Sequence, residues 1–422
     1  MRFKSSLYIT YDGLLDPLGG SQILPYLRSI ATHEEELDVL SFEKSERYSS
    51  YGGDLRAELE KTSIKWTPLI FTRSFGVIGK LWDLLRMVIA AWHIASKYNP
   101  SIVHARSHAP AQVALLIKWI FKAKLLFDFR GLWVDERIDK GSWTPTNPWH
   151  RFQYQILKRI ENLLLSNADH LVVLTEAVIP EVLRLGVSNR NVITVIPCCA
   201  DFQHFQLVTP QTRKQSRDEC GINQNSLVLG YVGSVGGMYL TDRFLRLVEL
   251  AILKQPELEV LALTPDPKAF RNAVIDNLPT SLHKGIKIFS ANRNQMARWL
   301  TAIDILVAFF KPSYARMGAS PTKLAESWAM GIPVVCNQGV GDLQKIMNEI
   351  KAGNLIENCS DKQLLEVVES FPILLRKGGN CLRIAAKMRF GLDLAADRYK
   401  VIYQGLRKHE AENTCQCIKI KN

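Results

Sequence analysis

The stretch "ASPTKLAESWAMGIPVV", residues 319–335, contains a helix start, a helix end and the beginning of a strand. Ser320 is a favourable N-cap, and Pro321 fits the first helical position, where its missing N–H costs nothing. Gly331 and the proline two residues later favour the end of the helix just before them. The spacing predicts a helix over 321–330 that is followed directly by an apolar strand.

Around this helix, short apolar runs alternate with helical patterns along nearly the whole chain. Fully apolar strands separated by helices indicate parallel sheets that are covered on both faces. The strand-like runs are residues 5–11, 37–42, 101–106, 124–129, 170–175 and 192–197, then 227–233, 258–264, 285–290, 305–310 and 333–337. We predict an α/β protein with two doubly wound, Rossmann-like domains.

A polar stretch without strong periodicity, "QLVTPQTRKQSRDECGINQNS", separates the two series of strands. We place the interdomain linker there. Two such domains usually face each other across a cleft, with ligands at the carboxyl ends of the strands. The predicted organisation is an N-terminal domain over 1–205, the linker over 206–226, a C-terminal domain over 227–388, a terminal helix over 389–410 and a flexible tail over 411–422.

Length and composition fit two globular domains, because 422 residues at 47% hydrophobic can bury two sizeable cores. The eight cysteines form no CxxC pair, and the chain opens without the long apolar run of a secretory signal. We therefore predict a reducing, cytoplasmic compartment. No stretch reaches eighteen uncharged apolar residues, so we predict no membrane span.

The net charge of +12 is unevenly distributed. Between residues 65 and 124 there are nine lysines or arginines against one acid, Asp83. Trp82 and Trp92 lie in the same segment, in a largely apolar helix with cationic ends. This pattern suits an anionic membrane surface, on the inner face of the cell membrane. A core helix with solvated lysines is the alternative, and no nucleic-acid-binding module accompanies the charge.

Lys323 lies in the first turn of the predicted helix, where the peptide dipole favours an anion. Free N–H groups and a lysine at a helix start form a combination that suits a phosphate. Ser320 and Thr322 flank the lysine at the same helix start. Glu326 follows on nearly the same face, and its carboxylate could accept hydrogen bonds from two vicinal hydroxyls, such as those of a ribose. An ordinary surface pair of lysine and glutamate is the alternative interpretation.

Two glycine-rich loops point to the same kind of ligand. "GYVGSVGGMY" (230–239) puts Gly233 and Ser234 between the first strand of the second domain and its helix. Gly19 and Gly20 follow the first strand of the first domain in the same way. Backbone amides in such loops can approach a diphosphate. Together with Lys323, the two loops predict a phosphate-containing ligand that is bound between the domains.

With these motifs in order, the chain resembles the GT-B fold glycosyltransferases of the family-four (group 1) type, in a bacterial branch that builds surface polysaccharides. The resemblance covers nearly the whole chain. It rests on "LGGSQILPYLRSIA", "DFRGLWVDE", "IPCCADFQHF", "LGYVGSVGGMY", "SPTKLAESWAMGIPVV", "GVGDL" and "AGNLIE". It implies transfer of a sugar from a nucleotide diphosphate to a glycan or lipid-linked acceptor, with retention, without a metal or other cofactor, and a terminal helix that crosses back to the first domain.

The resemblance also implies roles for site residues. The donor would be bound by Gly233, Ser234, Ser320, Thr322 and Lys323 at the diphosphate, by Glu326 at the ribose, and by Gly19 and Gly20 from the other side. Members usually carry two glutamates separated by seven residues, but the first position is Gly318 here. Backbone amides near Gly318 are the expected substitute.

In the first domain, many relatives have a histidine before a glycine at a strand end, where this chain has Arg130. Arg130 could stabilise the departing phosphate or bind an acidic acceptor, or pair with Asp128 or Asp135. We predict that His104 and Glu176, on neighbouring strands, share this catalytic region. A half-buried structural histidine and a helix-capping glutamate are the alternatives. Two other functions stay open: a nucleotide-sugar epimerase on the same fold, and a catalytically silent nucleotide-binding interaction module.

Overall fold

The computed structural model describes residues 4–31, 35–72, 76–351 and 353–419. The chain forms two compact units, which consist of Met1–Pro197 with Leu392–Asn422 and of Cys198–Gly391. Each unit contains one sheet in which all strands are parallel. The prediction of two doubly wound α/β domains is confirmed.

The first unit has a seven-stranded sheet in the order β3-β2-β1-β4-β5-β6-β7. Helices connect successive strands, as parallel pairing requires. The strands are β1 (Lys4–Thr10), β2 (Glu35–Glu43), β3 (Ile64–Ile70), β4 (Ile102–Arg106), β5 (Lys124–Asp128), β6 (His170–Val173) and β7 (Ile193–Val195). The helices are α1 (Pro17–Gln22), α2 (Leu24–Ile30), α3 (Ser45–Leu59), α4 (Gly76–Tyr98), α5 (His108–Phe121), α6 (Trp133–Asp139), α7 (Pro148–Asn167) and α8 (Ile179–Arg184).

The second unit has a six-stranded sheet in the order β10-β9-β8-β11-β12-β13. Its strands are β8 (Val228–Val232), β9 (Glu259–Leu263), β10 (Ile286–Phe289), β11 (Ile305–Ala308), β12 (Val334–Asn337) and β13 (Gly353–Ile356). Its helices are α9 (Pro210–Cys220), α10 (Thr241–Lys254), α11 (Pro267–Asn277), α12 (Arg293–Trp299), α13 (Thr322–Ala329), α14 (Leu343–Ile350), α15 (Asp361–Lys377) and α16 (Asn380–Phe390).

The strand order of each sheet reverses at one place. In the first unit the reversal lies between β1 and β4, and in the second unit it lies between β8 and β11. Loops that leave the two strands of such a pair diverge to opposite faces, which opens a crevice at their carboxyl ends. Ligand-binding residues are therefore expected after β1 and β4, and after β8 and β11.

Two edge strands, β3 and β13, are not among the strands predicted from apolar runs. β3 contains Lys65 and Pro68, and a proline is tolerated in a sheet mainly at an edge. β13 begins at Gly353, which has a φ of +154°. A Cβ at Gly353 would lie 1.8 Å from the carbonyl oxygen of Val334, so no other residue fits beside β12. Edge strands lack one neighbour and need less apolar sequence, which explains both omissions.

The linker predicted over 206–226 is wrong in extent. The division between the units falls at Pro197 and Cys198, and residues 210–220 form helix α9 of the second unit. Thr209 caps this helix through reciprocal hydrogen bonds with Thr212. Arg217 attaches it to the unit through an ion pair of 2.7 Å with Asp304. These are polar contacts, which hydrophobic periodicity does not detect.

The last helix, α17 (Leu392–Lys419), belongs to the first unit, as predicted. Tyr399 is buried and its ring lies 5.3 Å from that of Tyr26 on α2. Arg407 forms an ion pair with Glu35. Within the predicted flexible tail over 411–422, the backbone is helical up to Lys419, and the last three residues lie outside the described ranges. None of the helices in the described ranges has the length and apolarity of a membrane span.

Candidate active site

The candidate site of the second unit is organised around Lys323, the second residue of α13. Its Nζ donates a hydrogen bond to the carbonyl oxygen of Val232, the last residue of β8. The same nitrogen lies 3.7 Å from the centroid of the Tyr239 ring and 5.5 Å from that of Phe310. We call Val232, Gly233, Tyr239, Phe310 and Lys323 the Lys323 site. It lies at the carboxyl ends of β8 and β11, where the strand order reverses.

Gly233 is required beside this lysine for two reasons. Its φ of +142° is unfavourable for any residue with a side chain. A Cβ at this position would also lie 2.8 Å from the Lys323 Nζ and 3.0 Å from the Tyr239 ring. The absence of a side chain therefore makes room for the ammonium group.

The loop after Gly233 is held in shape by its own unit. The Tyr231 hydroxyl donates a hydrogen bond of 2.6 Å to the Ser234 carbonyl oxygen. The Gly236 N–H donates to the Thr241 hydroxyl at 3.1 Å. Ser234 is exposed at the surface of this loop. These hydrogen bonds within the unit fix the backbone of the loop, which is the preorganisation that an anion site needs.

The start of α13 differs from the prediction by one residue. Pro321 is the N-cap, with an extended ψ of 112°, and the helix begins at Thr322. The Ser320 hydroxyl does not cap the helix, because it accepts a hydrogen bond of 3.2 Å from the Cys198 N–H. Thr322 is half-buried in the first turn beside Lys323. The first turn still presents its N–H groups and the lysine at the same end of the sheet.

The two ionisable groups on α13 have strongly shifted pKa values. Burial lowers the pKa of Lys323 to about 7, although the charge of Glu326 opposes this change. Burial raises the pKa of Glu326 to about 7, against the charges of Arg293 and Lys323. The Glu326 carboxylate accepts no hydrogen bond from any residue of the described ranges. Shifted groups of this kind cluster at functional sites, so the pair is a credible binding site for an anion with hydroxyls nearby.

A cavity of 620 Å³ in the second unit lies elsewhere. Its lining includes Leu227, Asp304 and Pro333, which directly precede β8, β11 and β12. It therefore opens at the amino ends of the strands, opposite the Lys323 site. Parallel α/β sheets bind their ligands at the carboxyl ends, so we do not assign the donor to this cavity.

In the first unit, charged side chains meet at the carboxyl ends of β1, β4 and β5. Arg106 is buried and donates to Asp128 at 3.0 Å and to Asp12 at 3.4 Å. Arg130 lies 3.3 Å from the other oxygen of Asp128, with 15% of its side chain exposed. Burial disfavours the Asp128 carboxylate, but the charges of Arg130 and Arg106 prevail and lower its pKa. Arg130 thus has the predicted partner Asp128 and still reaches the surface.

The predicted catalytic position of His104 is wrong. His104 lies in the middle of β4 and not at its end, and it is buried under α17. Its Nδ1 is 3.0 Å from the Tyr403 hydroxyl, and its ring is 4.6 Å from that of Tyr8. Burial lowers its pKa to about 3, so the ring is neutral at physiological pH. His104 is therefore a buried structural histidine and not a catalytic one.

We expect His104→Phe to remove a pH dependence of stability. The folded-state pKa of about 3 lies below the ordinary 6.5, so the unfolded chain binds one more proton between these values. Relative to the variant, the wild type should lose about 1.4 kcal/mol of unfolding free energy per pH unit as the pH falls through this range. Urea unfolding at pH 7 and pH 4.5 measures the difference, with the exposed His93→Phe as the control. An equal difference at both pH values would contradict the assignment.

Glu176 and the glycines of the first unit also differ from expectation. Glu176 is exposed in the loop after β6, and α8 has Val178 as its N-cap, without a side-chain cap. Gly19 and Gly20 lie inside α1 and not in a loop before it. A Cβ at Gly19 would be 2.0 Å from the Gly13 carbonyl oxygen. Close packing of α1 on the preceding loop therefore accounts for Gly19.

The loop after β1 is instead held by a buried carboxylate that the sequence did not reveal. Glu43, at the end of β2, accepts hydrogen bonds from the Leu14 N–H at 2.8 Å and from the Leu15 N–H at 3.2 Å. The Ser41 hydroxyl donates to the same carboxylate at 2.6 Å. Burial raises the Glu43 pKa, while these donors favour its charged form. The first unit thus fixes its loop through a side chain of the neighbouring strand.

Comparison with known families agrees with this architecture. Residues 28–199, most of the first unit, match the model of the "Glycosyl transferase 4-like domain". The first unit thus resembles a glycosyltransferase domain, and the chain has the GT-B fold.

The similar proteins are distant from this chain in sequence. D-inositol 3-phosphate glycosyltransferase 2 of Catenulispora acidiphila is 28% identical over 210 residues, which are 46% of each chain. The match thus spans less than half of that curated relative. Among solved structures, sucrose-phosphate synthase from Thermosynechococcus elongatus has a TM-score of 0.71 at 15% identity and covers 96% of this chain and 100% of its own. Anabaena HepE, solved with UDP and glucose, has a TM-score of 0.68 at 14% identity and covers 94% and 99%.

Three residues in or next to the Lys323 site were not singled out from the sequence. Tyr239 and Phe310 form the aromatic walls, and the Asn337 side chain makes two hydrogen bonds, of 2.7 and 2.9 Å, with the Phe310 backbone. Tyr239 is the last residue of the glycine-rich stretch 230–239, and Asn337 ends an apolar strand. Position at a strand end was the available signal, but an aromatic there usually belongs to the core.

Proposed function

We propose that the protein transfers a sugar from a nucleotide-diphosphate donor to a glycan or lipid-linked acceptor. The observation that carries the proposal is the position of Lys323, in the first turn of α13 and against the glycine-rich loop after β8. A helix start, a lysine and a glycine loop converge there on the place where doubly wound folds bind phosphates. The UDP in the Anabaena HepE structure supports a nucleotide-diphosphate donor in this fold.

We propose that the reaction retains the anomeric configuration and needs no metal. The bond between the anomeric carbon and the diphosphate oxygen breaks while the acceptor oxygen bonds to the same face of that carbon. The acceptor proton leaves with the diphosphate. Negative charge grows on the leaving group, so cations and helix dipoles that contact it stabilise the transition state. Lys323 supplies a charge for this purpose in the second unit, and Arg130 in the first unit is the proposed partner of the acceptor or the leaving group.

Glu326 and the neighbouring backbone complete the proposed donor site. The free carboxylate of Glu326 would accept hydrogen bonds from the ribose hydroxyls. Backbone amides near Gly318, together with Ser320 and Thr322, would contact the donor sugar or its phosphates. Ser234 is exposed on the glycine loop, where its amide could reach the diphosphate.

The test is a screen of UDP-, GDP- and ADP-sugars with candidate glycan and lipid-linked acceptors. We expect one nucleotide to support formation of a glycoside in which the anomeric configuration of the donor is kept, in the presence of EDTA. A free epimerised nucleotide sugar would favour the epimerase alternative. Tight nucleotide binding without turnover of any donor would favour a silent interaction module.

We infer further that the first unit binds an anionic membrane surface, which suits a lipid-linked acceptor of surface polysaccharide or glycolipid synthesis. Helices α4 and α5 expose a continuous stripe of large apolar residues, and a contact of 5.4 Å between the rings of Trp92 and Phe121 joins the two helices. Exposed Lys80, Lys97 and Lys122 accompany the stripe. The stripe consists of Ile78, Leu81, Trp82, Leu85, Ile89, Trp92, Leu116, Trp119 and Ile120. Apolar side chains with flanking cations are the signature of an interfacial surface.

The double variant Trp82→Ser, Trp119→Ser should bind vesicles of phosphatidylglycerol and phosphatidylcholine at least about tenfold more weakly than the wild type. The reason is that two exposed aromatic side chains can no longer insert into the membrane surface. Both tryptophans are 52% exposed, so folding should be unaffected. Vesicle co-sedimentation measures the binding. Leu253→Ser, Met388→Ser, at two exposed positions of the second unit, is the matched control. Equal binding by all three proteins would contradict the membrane surface.

A further inference from the structure

We propose that Arg316 is a second cation of the Lys323 site and that it binds the diphosphate of the donor. This inference rests on the proposed function, because it assigns a residue to the same ligand. Arg316 lies in a short 3-10 helix, Tyr314–Gly318, between β11 and α13.

The backbone places Arg316 at the carboxyl end of the sheet. The carbonyl oxygen of Arg316 accepts a hydrogen bond of 2.9 Å from the Gly341 N–H, in the loop after β12, and one of 3.0 Å from the Ala319 N–H. The 3-10 helix is thus tied to the loops that follow β11 and β12. These loops lie at the same end as Gly233 and Lys323, beside the reversal of strand order.

The side chain of Arg316 is buried and has no partner among the residues that the structure describes. It is 4% exposed, and its Nε is buried without a hydrogen bond. No residue of the described ranges forms a hydrogen bond or ion pair with its guanidinium group. The two other arginines that are buried in these ranges are both paired, Arg106 with Asp128 at 3.0 Å and Arg217 with Asp304 at 2.7 Å. A buried cation without a partner is costly, so an anion from outside the chain is the expected partner.

Tyr239 connects Arg316 with Lys323. Burial raises the pKa of the Tyr239 hydroxyl, and the positive charge of Arg316 opposes this rise. The Lys323 Nζ lies 3.7 Å from the centroid of the same ring. The Lys323 ammonium group therefore contacts the Tyr239 ring, and the charge of Arg316 acts on the hydroxyl of the same residue.

The chemistry of the two cations fits a diphosphate better than a single phosphate. The Lys323 pKa is lowered to about 7, so its charge in the unliganded protein is incomplete near neutral pH. An arginine remains charged at every physiological pH, and its planar group can bind two phosphate oxygens at once. Arg316, which is always charged, and Lys323, which becomes fully charged when the ligand binds, can together neutralise the two negatively charged phosphates of a nucleoside diphosphate. A nucleoside monophosphate would engage one of them.

The experiment measures binding of UDP, GDP, ADP and the matching monophosphates by calorimetry. We use wild type, Arg316→Gln, Arg316→Lys and the matched control Arg298→Gln, which changes an arginine that is 55% exposed on α12. For the base that the wild type binds, Arg316→Gln should lower diphosphate affinity about 10- to 100-fold and change monophosphate affinity much less. Arg316→Lys should restore part of the loss, and Arg298→Gln should resemble the wild type.

Stability separates this role from a structural one. Removal of an unpaired buried cation should leave the midpoint of thermal unfolding of the ligand-free protein unchanged or raise it. Arg316→Gln with an unchanged ratio of diphosphate to monophosphate affinity would overturn the inference, whatever its midpoint, and would leave the proposed function intact. Failure of the wild type to bind any of the three diphosphates would instead overturn the donor site itself.

Discussion

Lys323→Ala should lower kcat/KM for the nucleotide sugar by about 100- to 1000-fold, which is the effect of removing one preorganised group that stabilises transition-state charge. The expected loss is large because the Val232 carbonyl oxygen and the Tyr239 ring fix the position of the Lys323 Nζ. Initial rates of nucleoside diphosphate release measure the effect. Lys345→Ala, at an exposed lysine of α14, is the matched control.

Proton uptake provides an independent readout of the same residue. Because the Lys323 pKa is lowered to about 7, the lysine is mostly neutral at pH 8, and a bound diphosphate should raise its pKa and draw in close to one proton. The Glu326 pKa is also about 7, so this carboxyl is already ionised at pH 8 and should contribute little. Calorimetry in two buffers of different ionisation enthalpy reports the uptake. If Lys323→Ala kept its activity, or if it took up as many protons as the wild type, the assignment of Lys323 to the donor site would be wrong.

Gly233→Ala should weaken nucleoside diphosphate binding by about 10- to 100-fold, the range expected when one charged hydrogen bond is lost. The new Cβ would lie 2.8 Å from the Lys323 Nζ and 3.0 Å from the Tyr239 ring, so the ammonium group must leave its position. Dissociation constants from calorimetry measure the change.

Gly236→Ala is the control for backbone strain. Gly236 is in the same loop and has a φ of +66°, but a Cβ there would meet no atom within 4 Å. The strain of a left-handed residue is common to both variants, whereas the displacement of Lys323 is confined to Gly233→Ala. Equal losses in the two variants would show that loop strain, and not the position of the lysine, controls binding.

The fold could be predicted from the sequence to a large extent because its central strands are buried on both faces. Runs such as "SIVHAR" and "ILVAFF" are apolar for that reason, and the helices between them require parallel pairing. The edge strands β3 and β13 could not be found in the same way, since a strand with one neighbour tolerates Pro68 or begins at Gly353. Helix α9 was missed because Arg217 attaches it through polar contacts and not through an apolar stripe.

Some residues of the candidate site could be predicted from local sequence patterns, and others could not. Lys323 and Gly233 were found because a helix start and a glycine loop have local signals, namely a proline, a cationic first turn and closely spaced glycines. His104 was misplaced because its distance from the strand end and its cover by α17 depend on contacts between residues 299 positions apart in the chain. Arg316 carried no local signal, since a lone arginine after a strand resembles any surface residue until its burial is known.

The sequence by itself determined the two parallel sheets, the order of their elements and the cationic helix start after β11, because the apolar periodicity and the end signals of each element are contained in a few neighbouring residues. The tertiary structure decided which side chains share one environment. It placed the Lys323 ammonium group beside Gly233 and Tyr239. It also buried Arg316 without a partner among the described residues and buried His104 under the last helix. Residues that are distant in the chain lower the Lys323 pKa by desolvation and bury the Arg316 side chain, and a local pattern contains no information about that burial.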